Sequence, residues 1–153
     1  MSLRSLVASA ALTLAPLTMQ AQGGAAGNWR VEFPRRVEND GSGDRVTEFG
    51  HALVILQLKG DSVVGTWKTT DGGPGPSMQR SVAGTISGNK LHLVSEPFEA
   101  VMRGPDGESK VKLIVSYDLE ITGDTLAGTQ QAKPQDGGPE GPSLPVKGTR
   151  EKA

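Results

Sequence analysis

The side chains able to carry acid, base or metal chemistry are few in this sequence. His51 and His92 are the only imidazoles, and the absence of cysteine excludes thiol catalysis, disulfides and thiolate metal sites. A metal site or a Ser-His-Asp triad would need an imidazole inside the fold, beside its partners. His51 alternates in phase with Leu53 and Ile55, and His92 with Val94, which belong to the outer face of the strands derived below. The spacing therefore predicts two surface histidines and no metal site.

Two further patterns are candidates for chemistry. Glu96 and Glu99 lie on either side of Pro97, and a carboxylate pair there would suit acid/base catalysis. Solvated acids beside a strand interruption are the commoner case, and we favour that interpretation. The Asp-Gly-Gly-Pro runs at 71 and 136 resemble phosphate-binding loops only in composition, because no helix N-terminus follows them. We therefore predict a protein that is not an enzyme and holds no cofactor.

Length and charge limit the classes of protein that remain. The 153 residues are about the size of one domain, and a formal net charge of −1 without a block of basic residues argues against a nucleic-acid partner. The sequence contains 21 glycines and 10 prolines, which is near the level at which disorder begins. A compact fold therefore requires most of them in turns and loops.

The first segment, residues 1–22, has the pattern of a secretory signal peptide. A short positive start precedes an apolar run of 12 residues, which is too short to span a bilayer. Cleavage after Ala21 puts Met19 three residues before the cut, where small side chains are preferred, whereas cleavage after Ala26 puts a glycine there. The sequence thus predicts cleavage near 21–26, a secreted or periplasmic mature protein, and no membrane span.

The mature region is predicted to consist of strands. From residue 110 to 122, apolar and polar side chains alternate with only Ile114 out of phase, and a period of two indicates a half-buried strand. No stretch has a convincing helical period. Three two-residue turns fix the pairing of their neighbours: Gly60-Asp61, Gly88-Asn89 and Gly123-Asp124. They predict that Leu58 faces Val63, Ile86 faces Leu91 and Ile121 faces Leu126.

Eight strands follow from these patterns, near residues 28–35, 47–59, 62–70, 78–87, 90–103 (broken at Pro97), 109–122, 125–133 and 144–151. Sequential antiparallel strands joined mostly by short turns predict an all-β fold, an eight-stranded up-and-down barrel over residues 27–151. The interior of such a barrel is either filled by side chains or holds one small ligand.

The two halves of this region resemble each other in sequence. The segment 60–66 (GDSVVGT) matches 123–129 (GDTLAGT), the loop at 71–77 matches that at 136–143, and 82–85 corresponds to 146–149. We interpret this as an internal two-fold repeat of a hairpin and a loop. Such a repeat would place both loops at the same end of the barrel.

A further set of residues resembles the lipocalin and calycin group, in particular small secreted bacterial domains of this type. Gly27-Asn28-Trp29 is similar to the G-x-W motif of the group, Gly-Thr steps recur at 65, 84, 128 and 148, and Arg150 lies on the last strand. The resemblance implies that Trp29 packs under Arg150 where the barrel closes, as a cation–π contact. The chain lacks the polar set of biotin-binding barrels and the late inward histidine of haem-binding ones, so the resemblance implies no cofactor.

The barrel interior is the best candidate for a site. Four glycines, Gly65, Gly84, Gly128 and Gly148, are expected to face inward, which leaves one level short of side-chain volume unless Trp29, Trp67 and Arg150 fill it. An unfilled interior would be an apolar cup of the kind that binds small molecules. The predicted ligand site has Trp67 and Tyr117 as walls, Leu56 on the same inward face, and Gln130 and Arg80 as polar groups.

The predicted function is binding of a small apolar ligand inside a secreted, non-catalytic barrel. The alternative is a protein-interaction module with a filled core, acting through the loops at 71–77 and 136–143. The outward apolar pair Leu53 and Ile55 would also suit contact with a partner or with a second copy. A minor alternative is an isomerase or cyclase that uses the same cavity, because a fold does not fix a function.

Overall fold

The structure, a computed structural model, describes residues 24–71 and 78–152, and for residues 102–104 it describes the backbone only. Within these ranges the chain is mostly strand: β1 (Gly27–Asn39), β2 (Asp44–Lys59), β3 (Ser62–Thr69), β4 (Gln79–Ser87), β5 (Lys90–Ser95), β6 (Phe98–Gly104), β7 (Gly107–Thr122), β8 (Thr125–Pro134) and β9 (Leu144–Arg150). No helix in the described ranges is long and apolar enough to cross a membrane.

The strands close into an antiparallel barrel. Hydrogen-bonded neighbours run in the order β5-β4-β3-β2-β1-β9-β8-β7-β6, and a further pairing of β5 with β7 closes the sheet. β5 and β6 pair with different parts of β7 and so form one interrupted barrel strand: His92 is opposite Asp118, and Val101 is opposite Lys110. The predicted all-β fold, a closed barrel of eight up-and-down strands, is confirmed.

The three predicted hairpin turns set the register as expected. Leu58 lies opposite Val63, Ile86 opposite Leu91, and Ile121 opposite Leu126. Each turn begins with a glycine of positive φ: 64° at Gly60, 61° at Gly88 and 59° at Gly123. The Asp or Asn that follows has no positive φ, which is the arrangement of a type II′ turn, whose twist matches that of the strands.

The interruption between β5 and β6 lies at Pro97, where the sequence predicts it. The carboxylate of Glu96 accepts a hydrogen bond of 2.9 Å from the backbone N–H of Ser81 at the start of β4. The carboxylate of Glu99 lies 3.3 Å from the Nζ of Lys110. Each carboxylate is therefore engaged with a different partner, as the solvated-acid interpretation expected.

Every second side chain along the strands faces the interior. The buried apolar strand residues are Trp29, Val31, Ala52, Val54, Leu56, Val63, Trp67, Val82, Ile86, Leu91, Leu93, Val115, Tyr117, Leu119, Ile121, Leu126 and Val146. This is the alternating set that the turns predict. The inward face derived from the sequence is thus confirmed.

The inward glycines let neighbouring strands approach closely. A Cβ atom on Gly84 would collide with the carbonyl oxygen of His92 on β5, and one on Gly128 would collide with that of Asp118 on β7. Glycine is required at such positions because the adjacent backbone leaves no room for a side chain. The close approach of the neighbouring strands therefore accounts for these glycines, as the interpretation of the glycines as packing positions expects.

The two hairpins of the predicted repeat have corresponding pairing. Leu56 lies opposite Gly65 in the first hairpin, and Leu119 lies opposite Gly128 in the second. The repeat itself stays a prediction. Of the predicted rim loop at 71–77, only its first residue falls within the described residues.

Candidate functional site

One end of the barrel interior is closed by Trp29 and Arg150. Trp29 is fully buried on β1, and Arg150 lies directly opposite it on β9. The Cζ of Arg150 is 4.3 Å from the centroid of the indole ring, which is within the range of a cation–π contact. The pair therefore seals the interior where the first and last strands meet.

Residues just before β1 complete this closed end. The indole N–H of Trp29 donates to the carbonyl oxygen of Ala25 at 2.9 Å, and Nη1 of Arg150 donates to that of Ala26 at 2.6 Å. Nη2 of Arg150 donates to the carbonyl oxygen of Gly24. The segment 24–26 is thus held against the barrel by the same two side chains that close it.

Gly27 makes room for the guanidinium group. Its φ is +120°, and a Cβ atom there would lie 3.1 Å from Nη1 of Arg150. The third nitrogen of the guanidinium group, Nε, donates to Oδ1 of Asp124 at 3.1 Å. The G-x-W pattern has a physical reason here, because Gly27 admits the cation and Trp29 supplies the ring beneath it.

A second group of inward side chains, here called the upper cluster, consists of Phe33, Trp67, Arg80, Phe98 and Tyr117. The Trp67 and Tyr117 rings are stacked with centroids 4.5 Å apart, and Phe33 meets Trp67 edge-on at 5.8 Å. The five residues come from five strands, β1, β3, β4, β6 and β7. Only the closed sheet brings them together.

Arg80 is bound to the aromatic rings of the upper cluster. Its Nη2 donates a hydrogen bond of 2.9 Å to the hydroxyl oxygen of Tyr117. Its Cζ lies 4.5 Å from the ring centroid of Phe98 and 5.8 Å from that of Trp67. A guanidinium group held over ring faces gains cation–π energy, which offsets part of the cost of taking it out of water.

Two donors of the upper cluster have no acceptor among the described residues. They are the indole Nε1 of Trp67, a residue only 1% exposed, and the Nε of Arg80. The hydroxyl oxygen of Tyr117, by contrast, accepts a hydrogen bond from Arg80. A buried donor left unpaired costs about 1–3 kcal/mol, so such groups are rare in folded proteins.

Within the described part of the chain, the charge of Arg80 has no carboxylate partner either. All 17 Asp and Glu residues lie within the described ranges, and none of the ion pairs there involves Arg80. Burial raises the pKa of Tyr117 above its ordinary value, while the charge of Arg80 and its hydrogen bond lower that pKa in part. The upper cluster is therefore aromatic, neutral at its phenol and positive at its guanidinium.

The other two residues of the predicted ligand site lie at different levels. Gln130 is half-buried on β8, directly opposite Tyr117, and so lies beside the upper cluster. Leu56 is buried opposite Gly27, at the closed end. The structure thus brings Gln130 to the predicted walls and leaves Leu56 near the seal.

Sequence reasoning missed two members of the upper cluster. Phe33 is in phase with Trp29 and Val31 on β1, so alternation alone was sufficient to find it. Phe98 follows Pro97, where the strand is interrupted and its alternation starts again. No local signal therefore marks Phe98 as an inward residue.

Both histidines lie on the outer face, with side chains 48% and 50% exposed. Nδ1 of His51 is 2.7 Å from Asp71 and its Nε2 is 3.6 Å from Glu32, while Nδ1 of His92 is 2.6 Å from Asp118. Hydrogen bonds from the backbone and then from the ring of His51 lower the pKa of Asp71. Over the described part of the chain, no group of three or more His, Cys, Asp or Glu side chains is placed to hold a metal ion.

The outer face also carries the apolar pair expected from the sequence. Leu53 is half-buried and Ile55 is 40% exposed on β2. Three outer concavities, of about 360, 400 and 530 Å³, share Ala127 in their lining. They are open grooves between outward side chains and do not belong to the barrel interior.

The fold and these two groups of side chains define a closed antiparallel β-barrel, compatible with a lipocalin-like architecture, with one sealed end and a cationic aromatic cluster inside. Comparisons with protein-family models, with curated proteins and with solved structures found no match. The function must therefore be argued from the geometry of the barrel.

Removal of the closing indole should strongly destabilise the barrel. We expect Trp29→Ala to lower the free energy of unfolding by about 3–5 kcal/mol, because a large, fully buried ring is lost. Denaturant melts measure this change. The control is Arg30→Ala, whose side chain is 69% exposed and should contribute less than about 1 kcal/mol. A loss of that small size for Trp29→Ala would mean that the indole does not seal the interior.

Tyr117 is the only tyrosine, so its ionisation reports directly on the upper cluster. Because burial raises its pKa, we expect tyrosinate absorbance to appear only above the ordinary value of 10.0. Arg80→Gln should raise this pKa further, since the cation that favours the phenolate is gone, whereas Arg30→Gln should not change it. The unfolded chain releases this proton first, so stability should fall as the pH rises above about 10. A measured pKa of Tyr117 at or below 10.0 would contradict the burial of its hydroxyl group.

Proposed function

We propose that this chain is an exported, non-catalytic lipocalin-like protein that binds a small apolar ligand in the barrel interior, at the upper cluster. Trp67 and Tyr117 would form the walls of the site, with Gln130 beside them. The closed end, with Trp29 beneath Arg150, would form its floor. Eight-stranded barrels are of the size that holds one small ligand.

The observation that carries this proposal is the difference between the two ends of the interior. Trp29 at the closed end is fully buried. Phe33, Arg80 and Phe98 face inward, yet each keeps part of its surface exposed. Solvent therefore reaches inward aromatic side chains at the upper cluster, and an apolar ligand would gain by covering them.

The alternative of a protein-interaction module rests on the rim loops. The loop at 136–143 is tied to the barrel, because the N–H of Gly141 donates to the carbonyl oxygen of Ala132 at 2.8 Å and Gln131 Nε2 donates to that of Gly141 at 2.9 Å. A tied loop is a ready surface for a partner. The isomerase or cyclase alternative would have to use Tyr117 and Arg80 as its polar groups.

Export is part of the proposal, and the contacts at the closed end support one of the two cleavage positions. Cleavage after Ala26 would remove three carbonyl acceptors that hold Trp29 and Arg150, whereas cleavage after Ala21 keeps them. We therefore expect the exported protein to begin at Gln22. Intact mass spectrometry of protein secreted by an expression host measures this, and a chain that begins at Gly27 would contradict the expectation.

Ligand binding is tested with N-phenyl-1-naphthylamine, a neutral apolar dye that fluoresces in apolar surroundings. We expect saturable binding of about one dye per chain. Trp67→Ala should weaken it by about tenfold or more, since a buried aromatic wall contributes more than about 1.4 kcal/mol.

The matched control is Ile55→Ala, which removes an apolar side chain of the outer face and should leave dye binding unchanged. Absence of saturable binding by the unmodified protein would overturn the proposal. Capture of a protein partner that is lost when the loop at 136–143 is replaced would then favour the interaction module.

A further inference from the structure

Beyond the barrel, β6 and β7 form a two-stranded ribbon. β7 pairs with β8 only from Leu113 onward, and β6 has β7 as its sole hydrogen-bonded neighbour strand within residues 24–71 and 78–152. The ribbon therefore keeps one open edge along β6, over Phe98–Gly104. A two-stranded ribbon is marginally stable by itself, and an open strand edge is a template for pairing with another chain.

The backbone groups on this open edge follow from the bonds on the other side of the ribbon. The carbonyl oxygen of Lys112 accepts a bond of 2.9 Å from the N–H of Gln135, so Lys112 directs its backbone bonds away from β6. The residue opposite it on β6 is Glu99, whose N–H and C=O then point away from β7. The same holds for the backbone of Val101 and Arg103, because the pattern repeats every second residue. These residues of β6 thus present backbone donors and acceptors at the open edge.

The side chain at the centre of this edge is apolar. Val101 is 56% exposed, more than the other large apolar side chains exposed in the described ranges. It shares a face of β6 with Glu99, since residues two apart in a strand lie on the same side. Phe98 belongs to the other face, which meets Arg80 inside the barrel. Val101 therefore lies on the outer face, where a partner at the edge would cover it.

We propose that β6 pairs with β6 of a second copy of this chain, antiparallel and about a two-fold axis at Val101. The resulting dimer is isologous, and its sheet continues from β7 of one copy to β7 of the other. Val101 lies opposite Val101 of the second copy, and Glu99 lies opposite Arg103 of the second copy at both ends. Each of these pairs exchanges two backbone hydrogen bonds, about six in all. This inference is independent of ligand binding in the interior.

The sequence of β6 is self-complementary in this register. Residues 97–105 read PFEAVMRGP, so the proline at each end lies opposite the proline at the other end of the second copy. Proline cannot donate to a strand ladder, so the pairing ends at the same place on both copies. A two-fold axis at position 99 or 103 would instead set that charge against its own copy, which destabilises a strand pair.

The charges of β7 extend this complementarity. Within one copy, Lys112 lies opposite Glu99, and Glu108 lies opposite Arg103. Across the dimer the row reads Lys112 and Glu99, then Arg103 and Glu108 of the second copy, with alternating sign. Nζ of Lys110 lies 3.3 Å from the carboxylate of Glu99, which has room to accept from a second cation. Opposite charges that face each other stabilise antiparallel pairs, so a second copy suits this edge.

The other ribbon that extends beyond the barrel, formed by β1 and β2, has an edge that resists such pairing. β1 contains Pro34, which has no N–H to donate, and its register with β2 shifts on both sides of Arg36. Proline and an irregular register are devices that blunt an exposed strand edge. β6 has neither between its ends, because its register with β7 is continuous from Phe98 to Gly104.

Sedimentation velocity of the unmodified protein from about 10 μM to 1 mM tests the association, since an edge of this size predicts a weak interface. We expect a reversible equilibrium between monomer and dimer. Val101→Pro should weaken it by about tenfold or more, because it removes a central donor while the bonds between β6 and β7 stay. The control is Ile55→Lys, at the outward apolar pair of β2, which should dimerise as the unmodified protein does.

A mixing experiment tests the register. Glu99→Arg and Arg103→Glu each place like charges opposite each other at both ends of the pairing, so each variant alone should dimerise about tenfold or more weakly. An equimolar mixture of the two variants restores opposite charges in both pairs. A heterodimer of about the stability of the unmodified dimer should then form. A defect within either chain would not be repaired by mixing.

The outcomes decide the inference. A monomer at every concentration would overturn it, as would a dimer that survives Val101→Pro or one that Ile55→Lys disrupts. A mixture that behaves as the two separate variants would overturn the pairing about Val101. A dimer that is weakened in each charge variant and restored in their mixture supports it. Dye binding in the interior is measured separately, so its presence or absence leaves this result unchanged.

Discussion

Closure of the sheet is the constraint on which the rest of this structure depends. Pairing of β1 with β9 and of β5 with β7 turns an alternating chain into a barrel whose inward side chains share one interior. Trp67 and Tyr117 are 50 positions apart along the chain (117 − 67) and stack only because this interior exists. The close strand approaches at Gly84 and Gly128 belong to the same requirement, because a sheet that coils this tightly leaves no room for their side chains.

The barrel places an arginine over a tryptophan at two levels and pairs them differently. At the closed end, backbone carbonyls and Asp124 satisfy the guanidinium of Arg150, so the contact serves stability alone. At the upper cluster, Arg80 and Trp67 each keep a buried donor for which residues 24–71 and 78–152 offer no acceptor, and such donors lower stability. Folded proteins tolerate such a cost chiefly where function requires it. This contrast is one reason why we propose the upper cluster, rather than the closed end, as the binding site.

The outer face shows why residue type alone is a poor guide to chemistry in this fold. His51 and His92 each have a carboxylate within hydrogen-bond distance, which in isolation resembles part of a catalytic or metal-binding set. Both pairs are solvated and lie between neighbouring strands or at a strand end, where water screens their charge. The alternation of inward and outward side chains, whose phase the two-residue turns fix, predicts that both histidines lie outside the barrel.

The sequence by itself determined the strands, their register and their inward face, because a period of two and two-residue glycine turns are local features. It also indicated Trp29 and Arg150 as neighbours through the motif they resemble. The alternation of side chains shows which residues face inward, but it does not show at which height along the barrel axis each one lies. The tilt and stagger of the strands in the closed barrel set that height. Arg80 and Leu56 are equally inward in sequence, yet one joins the upper cluster and the other lies near the seal. Only the tertiary structure decided this, and only it revealed Phe98 beyond the break and the two buried donors without an acceptor in the described ranges.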